Sequence, residues 1–135
     1  SDIKIADLGG GVGHLTYWLN KLGFTDITYI DVPTVTISAM YFLETNGISA
    51  KFVSTKDFDG DYDLVINVDG LTQYSKEAAE SYTSKITANA KHFMSINREF
   101  DEFRVSDICK MRRISRNQFW LRRGYVEEDY VPETK

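Results

Sequence analysis

The sequence predicts an α/β fold: a doubly wound, mostly parallel seven-stranded sheet whose last two strands form an antiparallel hairpin. Three observations predict it. Five short apolar runs alternate with segments of helical period along most of the chain. A glycine-dense turn, Gly9-Gly10-Gly11-Val12-Gly13, lies where the first run meets the first helix. The last two runs are separated only by Arg122-Arg123-Gly124, the length and composition of a hairpin connection.

Taken in order, residues 3–8 read as the first strand. The helix that follows covers 14–22, with Leu15, Trp18, Leu19 and Leu22 on one face and Gly23 as its C-terminal cap. Residues 27–30 are the second strand, closed by Asp31. Pro33 suits the first turn of a helix that runs to Asn46, where Ile37, Met40, Tyr41 and Leu43 argue for burial. Residues 50–54 are the third strand, and 57–61 are a turn by composition. The fourth strand covers 62–67, apolar at its centre as buried parallel strands are. Ser75 caps a helix carrying Glu77 in its first turn and Ala78, Ala79, Tyr82 and Ile86 on its buried stripe. A fifth strand covers 91–97 and a short helix 105–111. The closing hairpin pairs 118–121 with 125–131.

The totals exclude several classes. A length of 135 residues fits one domain, 1–135. A net charge of -4 and a pI near 5.1 give no global reason to expect nucleic acid. Hydrophobic and aromatic fractions of 42% and 13% are those of a folded globule. No apolar run approaches the roughly 18 residues needed to span a bilayer, so no membrane partner is expected. Cys109 is alone, which rules out an intrachain disulfide and suggests a reducing, cytoplasmic setting. It reads as a small buried hydrophobe rather than a nucleophile. The chain starts directly on its first strand, so a small protein or a piece of a longer one is expected. The second is favoured, with an N-terminal cap region missing; a homo-oligomer is the other way to complete such a core.

Two cofactor classes compete for the glycine turn. Dinucleotide binding wants G-x-G-x-x-G, and Gly9 and Gly11 supply its first two positions, but the third is His14. The chain has instead Asp7-x-Gly9-x-Gly11-x-Gly13, an acidic residue followed by alternating glycines. This resembles motif I of the class I S-adenosylmethionine-dependent methyltransferases, which have a Rossmann-like fold. The resemblance implies S-adenosylmethionine as cofactor, held at Asp7, Gly9, Gly10, Gly11, Gly13, Asp31, Val32 and Asn67. In that family the glycine turn passes beneath the amino acid portion of the cofactor, and the acidic residue supports the turn. Asp31 stands where such folds place a carboxylate whose two oxygens accept from the ribose diol. The competing account of Asp31 is a helix N-terminal charge favoured by the dipole.

The likeness reaches further. Asp31-Val32-Pro33, the run Ser38 to Leu43, Ile66 to Thr72, Phe93 to Glu99 and Trp120 to Tyr125 look like the matching stretches of bacterial sugar O-methyltransferases. That resemblance implies methyl transfer to a hydroxyl of a small molecule, a sugar or glycoside.

Methyl transfer is an in-line displacement, so the protein mainly aligns two reactants. An oxygen acceptor also benefits from a base. In open parallel sheets ligands lie beyond the carboxyl ends of the strands. That rule selects Asp7, Gly9, Asp31, Ser54, Asn67, Asp69, Asn97 and Glu99 as wall residues. Asp69 is the first candidate for base or acceptor-orienting group, against a plain turn aspartate before Gly70; Glu99 is the second. Asp57 has adenine contact as one reading and a solvated acidic turn as the favoured one. His14 fits either a cofactor contact or a helix-start hydrogen bond, and His92 a core or rim position. The two histidines lack a carboxylate pair, so no metal site is expected. Arg98, Arg104, Lys110, Arg112, Arg113, Arg116, Arg122 and Arg123 make the C-terminal third locally basic. An ion-paired, solvated face is favoured there over a phosphate site. Two further functions compete with the enzyme: a non-catalytic or truncated methyltransferase-fold binding module, and a nicotinamide-dependent oxidoreductase.

Overall fold

The computed structural model describes residues 2–134; Ser1 and Lys135, the ends of the expected 1–135 domain, lie outside it. Its elements are β1 (Ile5–Leu8), α1 (His14–Lys21), β2 (Ile27–Asp31), α2 (Pro33–Thr45), β3 (Lys51–Ser54), β4 (Leu64–Val68), α3 (Lys76–Asn89), β5 (Phe93–Arg98), α4 (Val105–Ile108), β6 (Arg112–Gln118) and β7 (Tyr125–Val131). They build one seven-stranded sheet in the order β3-β2-β1-β4-β5-β7-β6. The first five strands pair in parallel, and β7 joins antiparallel to both β5 and β6. The strand order reverses between β1 and β4. A doubly wound sheet opens a crevice at that switch point.

Alternation along each strand divides the core. Ala6, Leu8, Ile30, Val65 and Phe93 face the α3 and α4 side, where Ala79, Ile86, Val105 and Ile108 cover them. Ile5, Ile27 and Ile66 face the other side and pack on Leu19 of α1. β1 and β2 are buried along their whole length, the environment that a continuous apolar run selects. Local chemistry sets the helix ends. Pro33 opens α2, and Ser75 Oγ accepts from Ala78 N at 3.2 Å to cap α3. No helix among the described residues is long and apolar enough to cross a membrane.

Several expectations are corrected. The outer hairpin strand is Arg112–Gln118, not 118–121, and Trp120 and Leu121 lie exposed in the connection. Its sequence, RRISRNQ, carries one apolar residue, and the pairing register shifts around that Ile114. As an edge strand with both faces wet, it is held by polar pairs such as Arg113–Glu128 and Ser115–Asp129 at 2.7 Å each. Hydrophobic periodicity cannot find such a strand. Second, the buried face of α1 is Thr16 and Leu19, while Trp18 and Leu22 are 61% and 73% exposed. Third, α2 buries Ala39 and Leu43 and leaves Ile37 and Tyr41 exposed, with Met40 at the margin. Both helices therefore turn apolar residues outward. Fourth, β4 begins at Leu64, with Tyr62 forming only an isolated bridge to Ala90, and α4 stops at Ile108.

The placement of the hairpin has a direct consequence for stability. Phe93 is fully buried and stacks on Tyr130 across the β5–β7 pair at 5.7 Å. Phe93→Ala is expected to cost about 3–5 kcal/mol in chemical denaturation, whereas Trp120→Ala costs less than about 0.5 kcal/mol. A cost above about 1 kcal/mol for Trp120→Ala would restore the strand at 118–121.

Candidate functional site

β1 delivers the glycine turn to the switch point. Gly9, Gly11 and Gly13 adopt φ of 72°, 58° and 94°, a region that side-chain-bearing residues rarely enter. Gly9 N donates to Ile30 O at 2.7 Å, and Gly13 N closes the turn on Gly10 O at 3.0 Å. Gly10 is demanded by packing, since a Cβ there would lie 2.5 Å from the Tyr29 ring. Gly11 is the opposite case: a Cβ there meets nothing within 4 Å. The turn is thus packed beneath Gly10 and open at Gly11, which leaves its main chain approachable from one side.

One carboxylate, Asp31, holds this turn, and a second, Asp7, ties β1 to the helix beyond it. Asp31 Oδ2 accepts from Gly11 N at 3.0 Å, and its Oδ1 accepts from Val32 N at 2.7 Å. Tyr29 donates its hydroxyl to Gly11 O, so β2 holds both polar groups of that residue. Asp7 is 2% exposed and accepts from Thr16 Oγ1 at 2.8 Å. Burial raises its carboxyl to about 6, against lowering by Thr16 and with a smaller push from Asp31. Burial and the Asp31 charge likewise raise Tyr74, whose hydroxyl stands beside Gly9, to about 12. Beside Asp31 an apolar slot of about 300 Å³ opens between α2 and β3, walled by Pro33, Ile37, Met40 and Phe52.

The end of β4 supplies a second group of residues. Asn67 is fully buried: Nδ2 donates to Leu8 O at 2.8 Å, and Oδ1 accepts from Leu71 N and Asn97 Nδ2. It locks the strand that feeds the glycine turn and presents no free polar atom to a ligand. Asp69 is the one non-glycine among the described residues with positive φ, at 56°. Its Oδ1 accepts from Tyr125 Oη at 2.8 Å and Gln73 Nε2 at 3.0 Å, and its Oδ2 from Arg122 at 2.7 Å. Arg122 lies over the Tyr125 ring at 4.4 Å. Glu99, beyond β5, receives Arg116 on both oxygens, at 2.8 and 3.3 Å. The structure therefore joins Asp7, the glycines, Asp31 and Val32 into one cluster, ties Asp69 to the hairpin, and engages Glu99 with an arginine.

The remaining candidates are peripheral. Asp57 is exposed in a short 3-10 turn. His14 is exposed and meets Phe42 edge-on, and His92 pairs with Asp129 at 3.0 Å on the rim. Burial pushes the Cys109 thiol up to about 11, which leaves it protonated and inert. No group of three or more His, Cys, Asp or Glu among the described residues is placed to hold a metal ion. Sequence reasoning missed Thr16, Tyr29, Tyr74, Gln73 and Tyr125, and placed Arg122 in an ion-paired basic face without naming Asp69 as its partner. Thr16 left one trace, a polar residue on the inward face of an amphipathic helix; Gln73 stands four positions from Asp69 but carries no periodic signal, and Tyr29, Tyr74 and Tyr125 meet partners far away in sequence.

No protein-family model matches the chain, and no curated protein matches it. Solved structures match its fold. The PH0226 protein from Pyrococcus horikoshii OT3 superposes with a TM-score of 0.83 at 13% identity, over 98% of this chain and 83% of that one. Magnesium protoporphyrin IX methyltransferase (ChlM) from Synechocystis PCC 6803, solved with bound SAM, gives a TM-score of 0.79 at 20% identity, over 97% and 70%. The mitomycin 7-O-methyltransferase MmcR gives 0.77 at 15%, over 97% of this chain but 50% of that one. These likenesses establish the Rossmann-like methyltransferase fold. The fold is the one that the motif I resemblance implies.

The buried Asp7 makes stability depend on pH. Its carboxyl ionises at an ordinary 3.8 but near 6 in the fold. Its contribution is therefore full below pH 3.8 and is lost as pH rises through 6, by about 2–3 kcal/mol. Asp7→Asn keeps an acceptor for Thr16 and removes the charge. The variant should gain melting temperature over the native protein between pH 4 and 7; parallel curves would contradict the assignment.

Proposed function

We propose that the chain binds S-adenosylmethionine at the glycine turn and transfers a methyl group to a hydroxyl of a small molecule, a sugar or glycoside. The observation that carries this reading is Gly11, with its outer side open and its amide tied to Asp31. The residues present fit the cofactor. Main chain at Gly11 receives the amino acid portion without a side chain in the way. Asp31 binds Gly11 and Val32 through one lone pair on each oxygen, leaving acceptor capacity for both ribose hydroxyls. The slot walled by Pro33, Ile37 and Met40 suits a flat apolar base. ChlM, which shares the fold, was solved with SAM and with SAH.

When bound, S-adenosylmethionine supplies an electrophilic methyl group on a sulfonium. The chain's own residues align the acceptor. Oδ1 of Asp69 accepts from both Tyr125 and Gln73, while Oδ2 accepts only from Arg122 and keeps one lone pair; three donors hold the carboxylate in place, which suits orienting an acceptor. We assign Asp69 the orienting role, and Glu99 the placement of Arg116. A second reading is a methyltransferase fold kept to bind a partner segment or a second copy. Trp18, Leu22, Ile37 and Tyr41, all more than half exposed, favour it. Methyl transfer by the chain itself would dismiss that alternative. The lone, inert Cys109 accords with a cytoplasmic setting.

Calorimetry with S-adenosylhomocysteine separates the two aspartates. Asp31→Ala should weaken binding about tenfold or more. Asp69→Ala should leave that affinity within about twofold and lower turnover. Equal effects on binding would overturn the division of roles. Tighter binding of NAD than of S-adenosylhomocysteine would overturn the cofactor.

A further inference from the structure

We propose that the methyl acceptor carries a phosphate-class anionic group, received by a cleft that Arg104, Arg116 and Arg123 line beside Tyr125. The inference rests on the methyltransferase reading and adds the acceptor's chemistry. The cleft has a volume of about 680 Å³ and opens past the end of β5, with Phe100 and Glu99 completing its walls. That size suits a sugar ring with a phosphate. Tyr125 connects it to the end of β4, because the same side chain lines the cleft and donates its hydroxyl to Asp69.

The charges in the cleft are unevenly matched. Three guanidiniums face one carboxylate, and that carboxylate, Glu99, is 13% exposed and already holds Arg116 through both oxygens. Glu128, 1% exposed, accepts from the same guanidinium at 3.5 Å, so Arg116 is fixed from beneath while remaining 38% exposed above. With both terminal nitrogens held by carboxylates, Arg116 is a fixed wall of the cleft, and Arg123 offers a guanidinium fork free to take a phosphate bidentately. Arg104 meets Asp107 at a nearest approach of 3.5 Å, from Nε, in an ion pair whose two side chains are both about half exposed. Arg123 makes no ion pair or hydrogen bond among the described residues. Of the three, Arg116 is held by two carboxylates and Arg104 by one, and Arg123 is left to meet a ligand unpaired.

The row continues downward. A second cavity of about 590 Å³ shares Arg104 and Arg116 and adds Arg113 and Tyr130, whose buried hydroxyl has no hydrogen-bond partner. Acids therefore lie on the floor of this groove and guanidiniums along its lip. Exposed Phe100, on the rim of the upper cavity, offers a flat face for the ring that carries the anion.

Arginine Nε–Hε signals of labelled protein test the proposal on titration with glucose 1-phosphate, glucose, inorganic phosphate and a single-stranded oligonucleotide. Saturable shifts of Arg104, Arg116 and Arg123 with glucose 1-phosphate are expected, with glucose and inorganic phosphate each binding about tenfold weaker or less. Arg104→Gln with Arg123→Gln, and Arg123→Gln alone as the milder variant, should weaken glucose 1-phosphate while leaving S-adenosylhomocysteine affinity unchanged. Equal response to glucose, unchanged affinity in the variants, or a response to the oligonucleotide alone would overturn the proposal. Loss of S-adenosylhomocysteine binding by the native chain, with the arginine response intact, would instead overturn the methyltransferase reading and with it the acceptor role.

Discussion

The hydrogen bond from Gly11 N to Asp31 Oδ2 at 3.0 Å fixes the outermost part of the glycine turn to the end of β2, beside the bond from Gly9 N to Ile30 O. Much of the site depends on it. The turn runs through three left-handed glycines, a path with high conformational freedom unless something fixes it. Asp31 fixes the amide of Gly11, and the hydroxyl of Tyr29 fixes its carbonyl. Tyr29 in turn leaves room only for glycine at position 10. The sheet register makes this possible by setting Asp7 beside Tyr29 and Leu8 beside Ile30. Strand pairing, a ring stacked under a backbone turn and one carboxylate thus form a chain of mutual constraints. Its outcome is an approachable main chain at Gly11.

Burial of charge is the second theme. Asp7 and Glu128 are both nearly inaccessible, but their surroundings differ. Asp7 has a neutral donor, Thr16, and its proton is retained well above the ordinary range. Glu128 has two guanidiniums, Arg113 at 2.7 Å and Arg116 at 3.5 Å. Breaking such a buried pair by removing one partner typically costs about 3–5 kcal/mol, because the remaining charge is stranded. The polar edge strand β6 is therefore attached to the sheet by electrostatics where it has little apolar surface to contribute. The same attachment positions Arg116 under the cleft past β5.

The legible parts of the chain were those with a local signal. The parallel strands, α1 to α3 and β7 follow from apolar runs, helix period and caps, and the glycine spacing marked the turn before any partner was known. Asp31 was legible because it ends a strand at the level of that turn. Strand β6 was not, because RRISRNQ has no alternation to read. The outward-facing Trp18, Leu22, Ile37 and Tyr41 misled for the complementary reason: helical spacing shows that apolar residues share a face but not that the sheet covers it. Two of the three side chains that bind Asp69, Tyr125 and Arg122, lie more than fifty positions away and meet it only once β7 pairs with β5. Long-range polar contacts of this kind leave no periodicity.

The central claim is that the glycine turn is the ligand-binding element and that Asp31 organises it. Backbone amide spectra of labelled protein, recorded as S-adenosylhomocysteine is added, test this most directly. The amides of Gly9, Gly11, Gly13 and Val32 should shift together and saturate with one affinity, while Gly47 and Gly60, remote from the turn, stay in place. Saturable shifts elsewhere with the turn unmoved, or no shifts at all, would contradict the account.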